Sequence, residues 1–321
     1  MSTLTVYNRR DLATGQIISG DLFSRWVSYV DASPKTVATY TRAIRRFSSY
    51  LESRGVTQPC REDVIAYRDH LRIDHKPTTV QAYIEAVKLF FKWTAQEGIY
   101  PNVADHVKGA KLDTEHKKDP LTVTQVRRVL DGVDLTTLKG LRDYAMLSLM
   151  ATTGLRTISI IRANIGDLRT VGDTAVLFHQ GKGHEEKSDY VKLAPEVEDC
   201  VTEYLQQRGE SDPDAPLFGA ISNRNSGGRM TTRSVSRVVK DRLVSSGMDS
   251  DRLTAHSLRH TAATLMLVNG ASITETQQIL GHKNINTTMI YSHALDRAKN
   301  NGELRAAGAI FHRSADGVAE S

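Results

Sequence analysis

Residues 33–55, SPKTVATYTRAIRRFSSYLESRG, leave the chain little freedom in how they fold. Ser33 supplies a hydroxyl that caps a first helical turn, and Pro34 suits the first helical position, whose N–H is unpaired anyway. Val37, Tyr40, Ala43, Ile44, Phe47, Tyr50 and Leu51 then recur at helical spacing until Gly55 stops the run. The other face carries Lys35, Arg42, Arg45 and Arg46. A helix with one apolar stripe must bury it against other elements. Lys76-Pro77-Thr78 opens a second such helix, with Val80, Tyr83, Ile84, Val87, Phe90, Phe91 and Trp93 apolar, ending near Gly98. Residues 62–72 read as a shorter helix between them. No strand signal occurs in this first region, and residues 1–20 show no periodicity.

The stretch 101–119 is polar, charged and unpatterned, so it reads as a connection. The expected organisation is an arm at 1–20, a helical domain at 21–105, a linker at 106–119 and a second domain with a C-terminal tail at 120–321. In the second domain the patterns predict helices at 123–131, 138–153, 156–163, 195–207, 231–245, 256–268, 273–280 and 286–306. Two short strand candidates, 174–178 and 189–193, flank a Gly-Lys-Gly turn and predict a hairpin. The fold class expected is therefore mainly α with a small β-sheet or hairpin, in two domains. The residues from His312 onward are polar and predicted to fray.

A length of 321 residues admits such a division. The net charge is +5, and it is uneven: residues 1–110 hold 15 Lys and Arg against 11 Asp and Glu, and residues 111–321 hold 27 against 26. The excess lies in the first third, a weak pointer to a polyanionic partner. Cys60 and Cys200 stand far apart and form no CxxC pair, which predicts no disulfide framework and a reducing compartment. There is no apolar run of membrane-spanning length and no signal-peptide pattern, so the expectation is a cytoplasmic protein with no membrane partner.

Four short motifs carry candidate chemistry. In HSLRH, His256 and His260 lie four apart on a helix with Arg259 beside them. The pair has the spacing of a zinc site, but the glutamate of a metalloprotease helix is missing, and an arginine repels a cation and suits an anion. In TGLRT, Gly154 ends one helix and Arg156 falls at the start of the next, where free N–H groups already favour phosphate. Alone, Arg156 reads better as a surface arginine after a turn. In QGKGHEEK, Lys182 stands between two glycines, which let backbone approach a ligand closely. The spacing is not that of a Walker A loop, and in isolation such a lysine is simply solvated. In LGHKNINTTMIYSHA, Gly281 ends a helix, His282 follows it, Asn286-Thr287-Thr288 forms a plausible cap, and Tyr291 lies inside the next helix.

Taken together and in order, Arg156, Lys182, His256, Arg259, His282 and Tyr291 resemble the active site of the tyrosine recombinase (phage integrase) family, in its Xer-like or simple integrase branch. TGLR, GKG, HSLRHTAAT and LGHKNINTTMIYSHA are similar to its motifs nearly word for word. More weakly, SPKTVATYTRAIRRF and TTVQAYIEAVKLFFKW resemble its helical, SAM-like core-binding domain. The resemblance implies a two-domain DNA clamp with a mixed α+β catalytic domain. It implies a site-specific recombinase that integrates, excises or resolves DNA, with Tyr291 as the nucleophile that forms a 3′-phosphotyrosine. Arg156, Arg259 and His282 would stabilise the phosphoryl oxygens, Lys182 would protonate the leaving 5′ oxygen, and His256 would act as base or orienter. No cofactor, metal or ATP is implied. The family's usual acidic residue three positions after the first arginine is Ser159 here.

The resemblance also implies partners: double-stranded DNA with an inverted-repeat core site, and a homotetramer on two duplexes with exchange of the C-terminal tail. Lys35, Arg42, Arg45, Arg46, Lys88 and Lys92 are the candidate DNA face of the first domain, each read equally well as a solvated helix charge. His260, His293 and the other tyrosines, including Tyr40, Tyr83 and Tyr144, are assigned to core or surface. Two alternatives stay open: a type IB topoisomerase-like enzyme that relaxes DNA, and a DNA-binding protein of this fold with impaired catalysis.

Overall fold

The computed structural model describes residues 18, 20–111, 118–181, 186–221 and 225–299, and beyond these Glu303, Ala306, Ala307 and Ile310; for 293–299 only the backbone is described. The expected arm falls almost wholly outside these residues. Lys182 and the end of the C-terminal tail do too.

The chain divides into two compact units, residues 1–115 and 116–321. The first is helical throughout its described residues: α1 (Gly20–Tyr29), α2 (Pro34–Ser53), α3 (Arg61–Asp74) and α4 (Pro77–Gln96). Ser33 caps α2 as its position predicts, its side chain accepting from the Thr36 N–H at 3.3 Å. The stripe of α2 packs on α4, and the seam is aromatic. Phe47 and Phe91 meet edge to face at 5.9 Å, and Trp26 meets Phe90 at 5.8 Å. Helix α1 is absent from the periodicity reading. It contributes Leu22 and the fully buried Trp26. Ala104 and Val107, in the unpatterned stretch after α4, are buried in this same core.

The second unit is built on α6 (Leu138–Thr153), which follows α5 (Val123–Asp131). Helix α6 is buried nearly all round, and even Arg142 and Asp143 on it are only 4% and 1% exposed. Those two are satisfied by each other, by Arg242 and by the Gly219 carbonyl. After α7 (Thr157–Arg162) come three antiparallel strands in the order β1 (Leu168–Val171), β2 (Thr174–His179), β3 (Asp189–Lys192). The hairpin expected is β2–β3, in the register Leu177 to Val191. Strand β1 extends it to a sheet. It is largely exposed and only four residues long, so it has no apolar pattern of its own and forms by pairing with β2. Helices α8 (Pro195–Arg208), α9 (Thr232–Ser245), α10 (Ala255–Val268), α11 (Ile273–Leu280) and α12 (Asn286–Lys299) complete the unit. Helices α8 and α10 pack on α6, and α12 packs on α10. Among the described residues no helix is long and apolar enough to cross a membrane.

Candidate active site

Two helices end side by side at the site. Helix α6 stops at Gly154 and α11 at Gly281, both in the left-handed conformation, with φ of 66° and 60°. Glycine takes that conformation without the steric penalty a Cβ incurs. At Gly154 a side chain has no room either, because a Cβ would stand 2.5 Å from Leu280 Cδ2 and 3.2 Å from the Ala262 methyl.

The carbonyls at these two ends receive the two arginines. Arg259, on α10, donates from Nη1 to the Gly154 carbonyl at 2.7 Å and from Nη2 to the Leu280 carbonyl at 2.5 Å. Arg156, the residue before α7, donates from Nη2 to the Gly281 carbonyl at 3.2 Å. Helix C-termini carry partial negative charge, so they orient guanidinium groups. Among the described residues no carboxylate bridges either one. Burial together with the nearby Arg156 pulls the Arg259 pKa down to about 10. Burial lowers that of Arg156 as well. A buried cation without a counter-ion is unfavourable, and the arrangement fits a site whose anion arrives with the ligand.

Tyr291, on α12, packs with Ala263 and Leu280 and is only 6% exposed. Burial raises its phenol pKa, and Arg259 and Arg156 oppose that rise. The His282 ring is stacked on Tyr291, with centroids 6.4 Å apart and planes at 14°. Burial, then Arg259, Arg156 and His256, push the His282 pKa down to about 4. His256 is exposed at the start of α10. Its ring lies 5.1 Å from that of His260, which in turn lies 5.1 Å from Tyr291. The buried His260 ring thus neighbours both the His256 and the Tyr291 rings. Ser159 is buried in α7 at 5% exposure.

Arg156, Arg259, His282 and Tyr291 thus share one site, with His256 at its edge. Lys182 lies outside the described residues, three positions past His179 at the end of β2. Among the described residues no group of His, Cys, Asp and Glu is arranged to hold a metal ion.

The basic residues singled out in the first unit differ in their engagements. Arg46 pairs with Asp74 at 3.3 Å and Lys88 with Glu85 at 3.1 Å, and the Arg45 guanidinium lies 5.3 Å from the centre of the Phe23 ring. Lys35, Arg42 and Lys92 are exposed. The second unit has a basic surface that the sequence reading passed over. Exposed Arg233 and Arg237 on α9, with Lys139 on α6, line an open cavity of 640 Å³. Their spacing, four apart in the first turns of a helix beginning TTRSVSR, was the available signal.

Residues 120–298 match the profile described as "Phage integrase family", and residues 22–99 match "Phage integrase, N-terminal SAM-like domain". The chain is 28% identical over 277 residues to the tyrosine recombinase XerD of Listeria innocua, covering 81% of this chain and 88% of that one. Its fold is similar to that of the XerH site-specific recombinase bound to palindromic difH substrate, with a TM-score of 0.70 at 18% identity, covering 86% of this chain and 80% of that one. It is also similar to a lambda integrase tetramer bound to a Holliday junction, with a TM-score of 0.65 at 16% identity, covering 84% and 76%.

Proposed function

The chain belongs to the phage integrase family and is a site-specific DNA recombinase; from that premise we propose that Tyr291 is its nucleophile and that Arg156 and Arg259 hold the scissile phosphate. The observation that carries this reading is the arginine pair: the buried Arg259 and the half-buried Arg156, aimed by helix-end carbonyls, without a carboxylate partner among the described residues, beside a buried phenol. A phosphodiester supplies the missing negative charge and the reacting atom together.

In this reading the Tyr291 oxygen attacks phosphorus in line, and the bond to the 5′ oxygen breaks. The product is a 3′-phosphotyrosine, and the leaving oxygen takes its proton from Lys182. The guanidiniums and His282 meet charge that grows on the non-bridging oxygens. The phenol's proton leaves through the histidine cluster, with His256 as base or orienter. Arg259 and Arg156 pull the phenol pKa down and so oppose the rise that its burial causes. The bond energy is retained in the phosphotyrosine, so attack by a 5′ hydroxyl of the partner strand reseals the DNA without ATP. The two guanidiniums perform the charge stabilisation that metal ions provide in other phosphoryl-transfer sites.

Duplex DNA is the partner, and its phosphates are contacted by Lys35, Arg42, Arg45, Arg46, Lys88 and Lys92 of the first unit, and by Lys139, Arg233 and Arg237 of the second. Binding of this kind weakens steeply with salt. Strand exchange between two duplexes calls for four protomers on an inverted-repeat core site. The tail after α12 would dock on a neighbouring protomer, closing a ring of heterologous contacts. Deleting residues 307–321 then impairs synapsis more than single-site binding, and equal loss of both sinks the docking.

The decisive experiment is covalent capture from a pool of nicked, randomised duplexes. Wild type yields DNA joined through a 3′-phosphotyrosine. Tyr291→Phe binds the recovered sequences but yields no adduct. An adduct from Tyr291→Phe refutes the assignment.

A further inference from the structure

His282 is gripped from two helices. Its backbone N–H donates to the Gln277 carbonyl at 3.1 Å, and its own carbonyl accepts from Gln277 Nε2 at 2.9 Å, so α11 holds the main chain. The ring is held from α12: Nδ1 lies 2.8 Å from Thr288 Oγ1. Thr288 is fully buried, in the first turn of α12 and one turn before Tyr291. The Tyr291 ring stacks on the His282 ring.

A hydrogen bond between a hydroxyl and an imidazole nitrogen can run either way, and the surroundings decide its direction. The Ile285 carbonyl, three positions back from Thr288, already accepts from the Thr288 and Met289 N–H groups at 2.8 and 2.9 Å, so both its lone pairs are taken and it offers the Thr288 hydroxyl no acceptor. Among the described residues, His282 Nδ1 is the partner recorded for Oγ1. If Nδ1 carried the ring proton, the hydroxyl would accept it and its own hydrogen would be buried without an acceptor. A buried donor left unpaired is penalised more than an acceptor with a spare lone pair. The bond therefore runs from Thr288 to Nδ1.

We infer that Thr288 sets the tautomer of His282: its hydroxyl donates to Nδ1, so the ring proton sits on Nε2, the atom offered to the substrate. The inference rests on the reading of His282 as a ligand of the phosphoryl group, and it sharpens that role. With Nδ1 already an acceptor, His282 presents an N–H to a phosphoryl oxygen and is not the base that deprotonates Tyr291. Thr288 is a positioning residue, acting through His282 without touching DNA. The geometry also couples two groups mechanically. A shift of α12 that moves Tyr291 moves the hydroxyl that aims the ring.

The test has two arms. The first is nitrogen-15 NMR of the full chain with labelled histidine, the His282 signals being assigned by their loss in His282→Gln. At neutral pH the inference expects Nδ1 in the unprotonated range and Nε2 in the protonated range. A protonated Nδ1 overturns it. The second arm is the rate of adduct formation on sequences captured by wild type. Thr288→Val keeps the shape and removes the hydroxyl, and should slow cleavage about tenfold, the worth of one hydrogen bond, with DNA affinity unchanged. Thr288→Ser should restore the rate to within about twofold, since it returns the donor. Equal rates for wild type and Thr288→Val, or no rescue by serine when thermal unfolding is unchanged, overturn the role. If wild type itself forms no adduct, the assignment of Tyr291 fails, and the NMR arm alone decides the tautomer.

Discussion

Replacing Arg259 by methionine should leave the DNA-free protein about as stable as wild type while abolishing its chemistry. The guanidinium is 4% exposed, and its pKa is held down to about 10 by burial and by Arg156. Against an ordinary arginine near 12.5, that depression means the charged form is disfavoured by about 3 kcal/mol in the folded state. The sign is fixed: a depressed pKa on a cation marks a penalty present in full below pH 10, hence at pH 7. Methionine removes the penalty and keeps the apolar stem. What is lost is the donation to the Gly154 and Leu280 carbonyls, together worth about 2–4 kcal/mol. The two nearly cancel, and the net change should stay within about 1 kcal/mol.

Arg142 supplies the control, because it is equally buried but paired with Asp143 and bonded to the Gly219 carbonyl. Arg142→Met strips a partner from a buried carboxylate and should destabilise by about 3–5 kcal/mol. Urea unfolding of both variants at pH 7 measures the difference. Adduct formation by Arg259→Met should fall at least about a hundredfold, as expected for loss of a transition-state donor. If Arg259→Met destabilises as much as Arg142→Met, the Arg259 charge is already compensated in the free protein and lacks no counter-ion.

Gly154→Ala combines left-handed strain of about 1–2 kcal/mol with an overpacking cost of about 1–3 kcal/mol, whereas Gly209→Ala meets the strain alone, its φ being 67° with open space around it; equal losses in urea would show that the helix ends are not tightly apposed. Stability should also fall on acidification. His282 titrates near 4 when folded against about 6.5 when unfolded, so the folded state binds fewer protons in that window and loses stability as pH drops through it. The full shift would be worth about 3 kcal/mol, reduced to about 1–2 for a ring that water still screens. His282→Gln should flatten the unfolding midpoint between pH 4 and 6.5, and an unchanged slope would place the titration elsewhere. Ser159→Glu should retain adduct formation, and its collapse would show a pocket rebuilt around serine.

How much of this was legible in the sequence follows from what kind of interaction makes each feature. Helices α2 and α4 declare themselves because their stripes and Pro starts are written in side chains. Helix α1 and the residue after it place Leu22, Trp26 and Val30 at four-residue intervals, the same signal over too short a span to stand out from an unpatterned N-terminus. Strand β1, LRTV, has no alternation to read, since only its partner holds it in place. The site residues were found through their order along the chain, but not their engagements. Thr288 reads as one of several polar residues capping a helix, and its contact with His282 depends on how two helices meet. Arg233 and Arg237 carry no motif beyond their four-residue spacing, and the open cavity beside them gives that spacing its meaning.

Among the described residues, the acceptors that aim Arg156 and Arg259 are main-chain oxygens, those of Gly154, Leu280 and Gly281. No amino-acid exchange deletes a carbonyl. Substitution can disturb the aim of the guanidiniums only by bending a helix end, so drift in the surrounding side chains is filtered through two glycines. In related chains the arginines should therefore keep their orientation while the side chains around them diverge, and the two glycines should be the positions least free to change.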